Sequence, residues 1–347
     1  LERSARHQRT SQLQLRAAAP AQRETCESGN KSDLTSPRPS AFGHFIANGP
    51  PDTRSIFYAA LGGGLYFSLA CLSRVLFHVE GTLATIWLPS AGAVALLLVA
   101  RPRNEVGFYG AVWPASTLAN CLNGTSLLDA AGFSFANLVI IALVTGLMRR
   151  RCGPIPDMSD LKVLVRFVWI GGVLGPLASA CTATSWVRLL LYNAPAAPAG
   201  STPELLWENF FNWFLTDSMG MILIVPMTLL VCKARAHKHL PTRQTLIEGS
   251  ALLTTSGLST ALVFSQDTYP LLFLILPITL IHAFRLGSAG TALHVALVAL
   301  ISIAMTWAGF GVIADTNATE SERLHLIQLF IADNFLLVLP VCAILAG

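Results

Sequence analysis

The chain has 347 residues, of which 53% are hydrophobic and only 12% charged. Soluble domains carry about 25% charged residues, so this composition, with a mean hydropathy of +0.57, excludes an ordinary soluble globule and indicates a polytopic membrane protein. The net charge of +4 does not indicate a nucleic-acid partner, because the basic residues cluster between apolar segments and form no stripe.

Residues 1–54 are rich in Arg, Ser, Gln and Pro and lack the apolar run of a signal peptide. They are expected to be a disordered cytoplasmic segment or an over-extended start. The chain begins at Leu1, has no methionine before Met148, and stops at Gly347 directly after an apolar run, which reads as a fragment or a gene model with unreliable ends.

Residues 55–347 read as one all-α membrane domain. Apolar runs at 56–79, 82–100, 105–122, 126–148, 161–192, 206–232, 246–264, 269–284, 286–306 and 324–346 predict about ten transmembrane helices, within a range of eight to ten. The fifth is broken by Gly171, Gly172, Gly175 and Pro176, and the short eighth and ninth also fit one re-entrant pair. Arg101 and Arg103, then Arg149 to Arg151, then Lys233 and Arg235, then Arg285 fall in alternate loops, so both termini are expected in the cytoplasm. A weak rhythm relates the second to fourth helices to the eighth to tenth: Leu88-Pro89 with Leu276-Pro277, Arg101 with Arg285, and Asn137 with Asn334. It would make a parallel repeat about the membrane normal.

The sixth helix organises the rest. Asp217 lies near the middle of an apolar run flanked by Trp207 and Trp213, with Gly220 and Pro226 beyond it. A carboxylate at that depth costs roughly 2.5–3.5 kcal/mol on insertion scales and needs a partner, a proton or a cavity. Arg74, Trp87, Ser90, Asn120, Asn137, Asn209, Asn212, Gln328, Asp333 and Asn334 all fall in the outer or middle part of their helices. This asymmetry predicts a polar cavity open to the outside, with Arg74 as counter-ion to Asp217 or Asp333. The competing reading is that the asparagines only tie helices together, at about 0.6 kcal/mol each.

His294 near mid-membrane and His282 near the inner face read as packed neutral side chains, and His237 and His239 as loop charge. Trp113, Trp169, Trp186 and Trp307 read as interface anchors. The seven scattered cysteines read as free thiols, and no metal ligands, cofactor motif, phosphate loop or catalytic dyad is visible.

The run IWLPSAGAVALLL (Ile86 to Leu98) resembles the W-x-P-x-x-G helix of the type-one membrane-associated sensor domain of bacteria, the MASE family. Gly110, Asn120 and Asn137 match in order, followed by Trp207, Trp213, Asp217, Gly220 and Pro226. The later run LPITLIHAFRLGSAGTA resembles the family's P-x-x-x-x-x-x-R-x-G-x-x-G helix and turn, which places Pro89, Gly92, Pro277, Arg285, Gly287 and Gly290 as structural motif residues. The resemblance runs from about residue 56 to the end and includes Gly309, Gly311, Gln328 and the closing FLLVLPVCAIL.

The resemblance implies a signal-input domain in the bacterial inner membrane, of the kind found at the front of histidine kinases, diguanylate cyclases and phosphodiesterases. It also implies a cytoplasmic output module or partner protein and a homodimer. No GGDEF-like, EAL-like or kinase histidine box follows in this chain, so it carries no catalytic module of its own. The expected ligand site comprises Asp217, Arg74, Asp333, Trp87, Ser90, Asn137, Trp213 and Asn334, reached by a small ligand from the outer side. Two other classes stay open: a small-solute transporter with a midplane polar site, and a scaffold that recruits a partner through its basic inner loops.

Overall fold

Helix is the only regular structure available to a lone apolar segment in lipid, because it satisfies its own backbone groups. The computed structural model describes residues 53–77, 84–102, 105–193, 203–236, 243–269, 271–316 and 318–346, and among them there is no strand. The expected segment 1–54 lies almost wholly outside the described residues, as do Cys26, His237 and His239. In chain order the helices are α1 (Thr53–Phe77), α2 (Leu88–Ala100), α3 (Glu105–Cys121), α4 (Leu127–Cys152) and α5 (Leu161–Phe167). They continue with α6 (Gly175–Asn193), α7 (Pro203–Ala236), α8 (Arg243–Phe264), α9 (Ile275–Trp307) and α10 (Glu320–Ala346).

Seven spans are long and apolar enough to cross a bilayer, so the chain is a multi-pass integral membrane bundle. The expected count of about ten is not reached on that measure: α2 and α3 fall short in length, and α9 counts once.

Three local features shape these spans, the first two departing from the expected ones and the third close to them, each for a physical reason. First, α2 starts at Leu88, not at 82. Trp87 is extended (φ −97°, ψ 97°), Pro89 occupies the first turn where its missing N–H is harmless, and Ser73 Oγ accepts the Leu88 N–H at 3.1 Å. Second, the glycine-rich stretch of the expected fifth span is a π-helix, Val168–Leu174, joining α5 to α6 without a break. The Gly175 N–H reaches back to Ile170 O, and Ser218 Oγ on α7 donates to Gly172 O at 2.8 Å. Third, α9 reverses at Gly287.

That reversal is legible in its side chains. Gly287 has φ 63° and ψ −171°, a conformation open essentially to glycine alone. His282 and His294 stack with ring centroids 3.8 Å apart, whereas twelve residues of straight helix would separate them by about 18 Å. So 275–286 and 288–307 are the antiparallel arms of a helical hairpin, close to the eighth and ninth segments expected from the sequence. Arg285 at its tip bonds Glu248 of α8 at 2.7 Å, and a Cβ on Gly290 would collide with Leu286.

α7 is the shared wall. It packs against α2 and α6 on one side and α9 and α10 on the other. Of its apolar window 67% is buried, against 17% for α8, so α8 is peripheral and α7 central. The basic residues at the expected inner ends are structural: Arg149 pairs with Glu105 of α3 and donates to Leu97 O at the end of α2, while Lys233 bonds Asp157 at 2.7 Å.

Candidate functional site

The start of α2 meets the middle of α7. Trp87 N donates to Thr216 O at 3.2 Å, which docks the start of α2 onto α7. Gly220 makes this approach feasible, because a Cβ there would fall on the Trp87 carbonyl oxygen. Gly92, a turn further into α2, likewise leaves room for a neighbour, since a Cβ there would strike Leu69. The W-x-P-x-x-G and D-x-x-G stretches are thus two sides of one junction.

Above this junction lies a cavity of about 180 Å³. Its polar lining comes from Arg74, Asn120, Thr125, Asn137, Thr216 and Asp217, and its aromatic walls from Trp87, Phe133 and Trp213. Asp217 is only 2% exposed, and its Oδ2 accepts the Trp213 indole N–H at 3.1 Å. The same N–H lies 2.9 Å from Ser179 Oγ on α6, and the Trp213 ring tilts against Phe133 with centroids 5.3 Å apart. Across the cavity, Arg74 Nη2 donates to Asn120 Oδ1 at 3.3 Å. Ser90 Oγ donates to Asn137 Oδ1 at 3.3 Å, holding that amide from below.

The expected counter-ion arrangement is corrected here. Arg74 and Asp217 face one cavity but form no ion pair with each other, and among the described residues neither pairs with another charge. Of the eight residues expected at the site, five line the cavity (Asp217, Arg74, Trp87, Asn137 and Trp213) and Ser90 supports it. The remaining two do not belong. Asp333 is exposed on α10, turned away from the core beside exposed Leu329, Leu336 and Leu337.

Asn334 belongs to a second buried cluster. Thr279 Oγ1 donates to its Oδ1 at 3.4 Å, His294 Nε2 lies 3.0 Å from the same hydroxyl, and His294 Nδ1 lies 2.7 Å from Ser256 Oγ on α8. The expected separation of His282 and His294 in depth is therefore wrong, since the hairpin stacks them. Among the described residues no group of three potential metal ligands occurs. The weak internal rhythm has a counterpart here: Ser90 bonds Asn137 just as Thr279 bonds Asn334, each a hydroxyl shortly after a helix-starting proline.

Some cavity residues carry no signal in an apolar sequence. Tyr66, fully buried on α1, accepts from Ser116 Oγ at 3.3 Å near the cavity, and Phe133, Thr216 and Ser179 look like ordinary helix residues. Gln328 of α10 is legible as a polar residue but not in its role. Its Nε2 donates to Thr85 O at 3.0 Å and to the lining residue Thr216 at 3.4 Å. Trp307 Nε1 also reaches Thr85 Oγ1, at 3.1 Å, and His325 lies 2.8 Å from Asn212 Oδ1.

A family model described as MASE1 matches residues 59–346. No curated protein and no solved structure matches the chain.

Proposed function

Since the chain belongs to the MASE1 family of membrane sensor domains, we propose that the cavity around Asp217 is its signal-input site and α10 its output element. A small solute from the outer side occupies the cavity. Its presence is passed through Thr216 and Gln328 to α10, and from there to a cytoplasmic histidine kinase, diguanylate cyclase or phosphodiesterase module, attached or recruited. The observation that carries this reading is the direct hydrogen bond between a cavity-lining side chain, Thr216, and α10 through Gln328. A ligand that binds one arrangement of this contact better than the other shifts the balance between them, which is all that signalling requires. The site lies in a bacterial inner membrane, with both termini cytoplasmic and a homodimer as the working form; the chain itself supplies input and no catalysis.

The transporter reading expects polar groups to continue toward the inner face below the cavity. Instead α2 and α7 continue past the Trp87–Gly220 junction with buried apolar residues, among them Ala91, Val94 and Ile222. The test is Asp217→Asn in a parent protein that carries an output module. Insertion is expected to be normal and ligand response lost; a response unchanged from the parent would remove Asp217 from the site.

A further inference from the structure

The cavity holds one carboxylate and one guanidinium that do not neutralise each other. Asp217 is bonded to the Trp213 indole, beside the Ser179 hydroxyl, and Arg74 to the Asn120 amide, all of them uncharged partners. At membrane depth an unpaired charge is dear, and two opposite ones facing a common void would ordinarily collapse into a pair. Here they are held apart. Asp217 is fixed by Trp213, which is itself held by Ser179, and Arg74 is turned toward Asn120. The cavity that both of them line is also lined by the rings of Trp87, Phe133 and Trp213.

We infer that the occupant is a small zwitterion bearing an amine and a carboxylate, of the size of an amino acid with a small side chain. The inference rests on the reading of the cavity as the input site. The ammonium sits against Asp217 and the aromatic faces, where a cation is favoured both by the carboxylate and by the ring quadrupoles. The ligand carboxylate takes the Arg74 donors that Asn120 leaves free, in a charge-assisted bond. Size agrees: 180 Å³ corresponds to about six water molecules. It falls below the roughly 300–1,000 Å³ of sites for drug-sized ligands. An anion alone would leave Asp217 uncompensated and repelled, and an amine alone would do the same to Arg74.

The test is calorimetric titration of the full chain in lipid nanodiscs with glycine, alanine and serine, and with acetate, methylammonium and glycerol as controls. At least one amino acid is expected to bind about tenfold or more tightly than any of the three controls. In Arg74→Gln the preference over methylammonium disappears, and in Asp217→Asn the preference over acetate disappears. The panel on the unsubstituted chain decides even if a variant fails to fold. Binding of acetate or methylammonium as tight as that of the amino acids, or binding of none of the three amino acids, overturns the inference. If no amino acid binds and Asp217→Asn still alters output of a parent protein, the ligand class fails while the sensor reading stands. If an amino acid binds and also accumulates inside sealed vesicles, the ligand class stands and transport replaces sensing.

Discussion

At the scale of single residues, the junction between α2 and α7 depends on what is missing from Gly220. A methyl there meets the Trp87 carbonyl, and backbone cannot step aside as a flexible side chain can. Gly220→Ala is therefore expected to lower stability by about 1–3 kcal/mol through overpacking and to weaken ligand binding, measured by thermal unfolding and titration in the same lipid. The residues of this site are legible in the sequence to the extent that they break an apolar pattern. Asp217, Arg74 and Asn137 stand out because charge and amide are costly there. Tyr66, Phe133 and Ser179 do not, because an aromatic or a small hydroxyl is ordinary in a membrane helix. Asp333 stands out for the same reason as Asp217 and misleads, since sequence gives depth along a helix but not which way a side chain faces.

At the scale of elements, the hairpin of α9 is the clearest case of glycine setting topology. The break after Arg285 is legible from Arg285, Gly287 and Gly290 together; the stacking of the arms is not, because it needs the turn angle at Gly287. Paired cysteines, His282→Cys with His294→Cys, are expected to form a disulfide on mild oxidation in an otherwise cysteine-free chain. Failure to crosslink would indicate a straight helix, in which about 18 Å would separate the two positions. The π-helix between α5 and α6 is legible only as a weak point. Gly171, Gly172 and Pro176 mark it, but the Ser218 hydroxyl that satisfies the Gly172 carbonyl lies 46 residues away in sequence, beyond any local pattern.

At the scale of the molecule, the hydrogen bond between Gln328 and Thr216 joins the cavity to α10. Gln328→Leu removes the hydrogen bond that ties Thr216 to α10 and is expected to leave ligand binding within about twofold while reducing output response. Calorimetry and an output reporter in the same parent protein would separate the two effects. At the opposite end, Asp157 lies in the loop before α5. Partial burial pushes its pKa up, but hydrogen bonds from Lys233 and Ser159 outweigh that and hold it below the ordinary 3.8. A carboxylate depressed in the folded state contributes stability above its unfolded pKa and loses it as pH falls through the folded value. Asp157→Asn is thus expected to cost about 0.2–1 kcal/mol at neutral pH, the pair being largely exposed, with the deficit starting to shrink below about pH 4 and gone only below the folded value. Melting curves of both forms across that range would show it.

The π-helix also acts as a phase shifter. It inserts an extra residue into a turn, so every side chain of α6 is rotated by about 100° from where an uninterrupted α-helix would carry it. Ser179 meets Trp213, and through it Asp217, only because of that offset. Relaxing the wide turn to ordinary α geometry would swing Ser179 away and free the indole that fixes the carboxylate. The charge at the heart of the cavity is therefore aimed by the winding of a neighbouring helix.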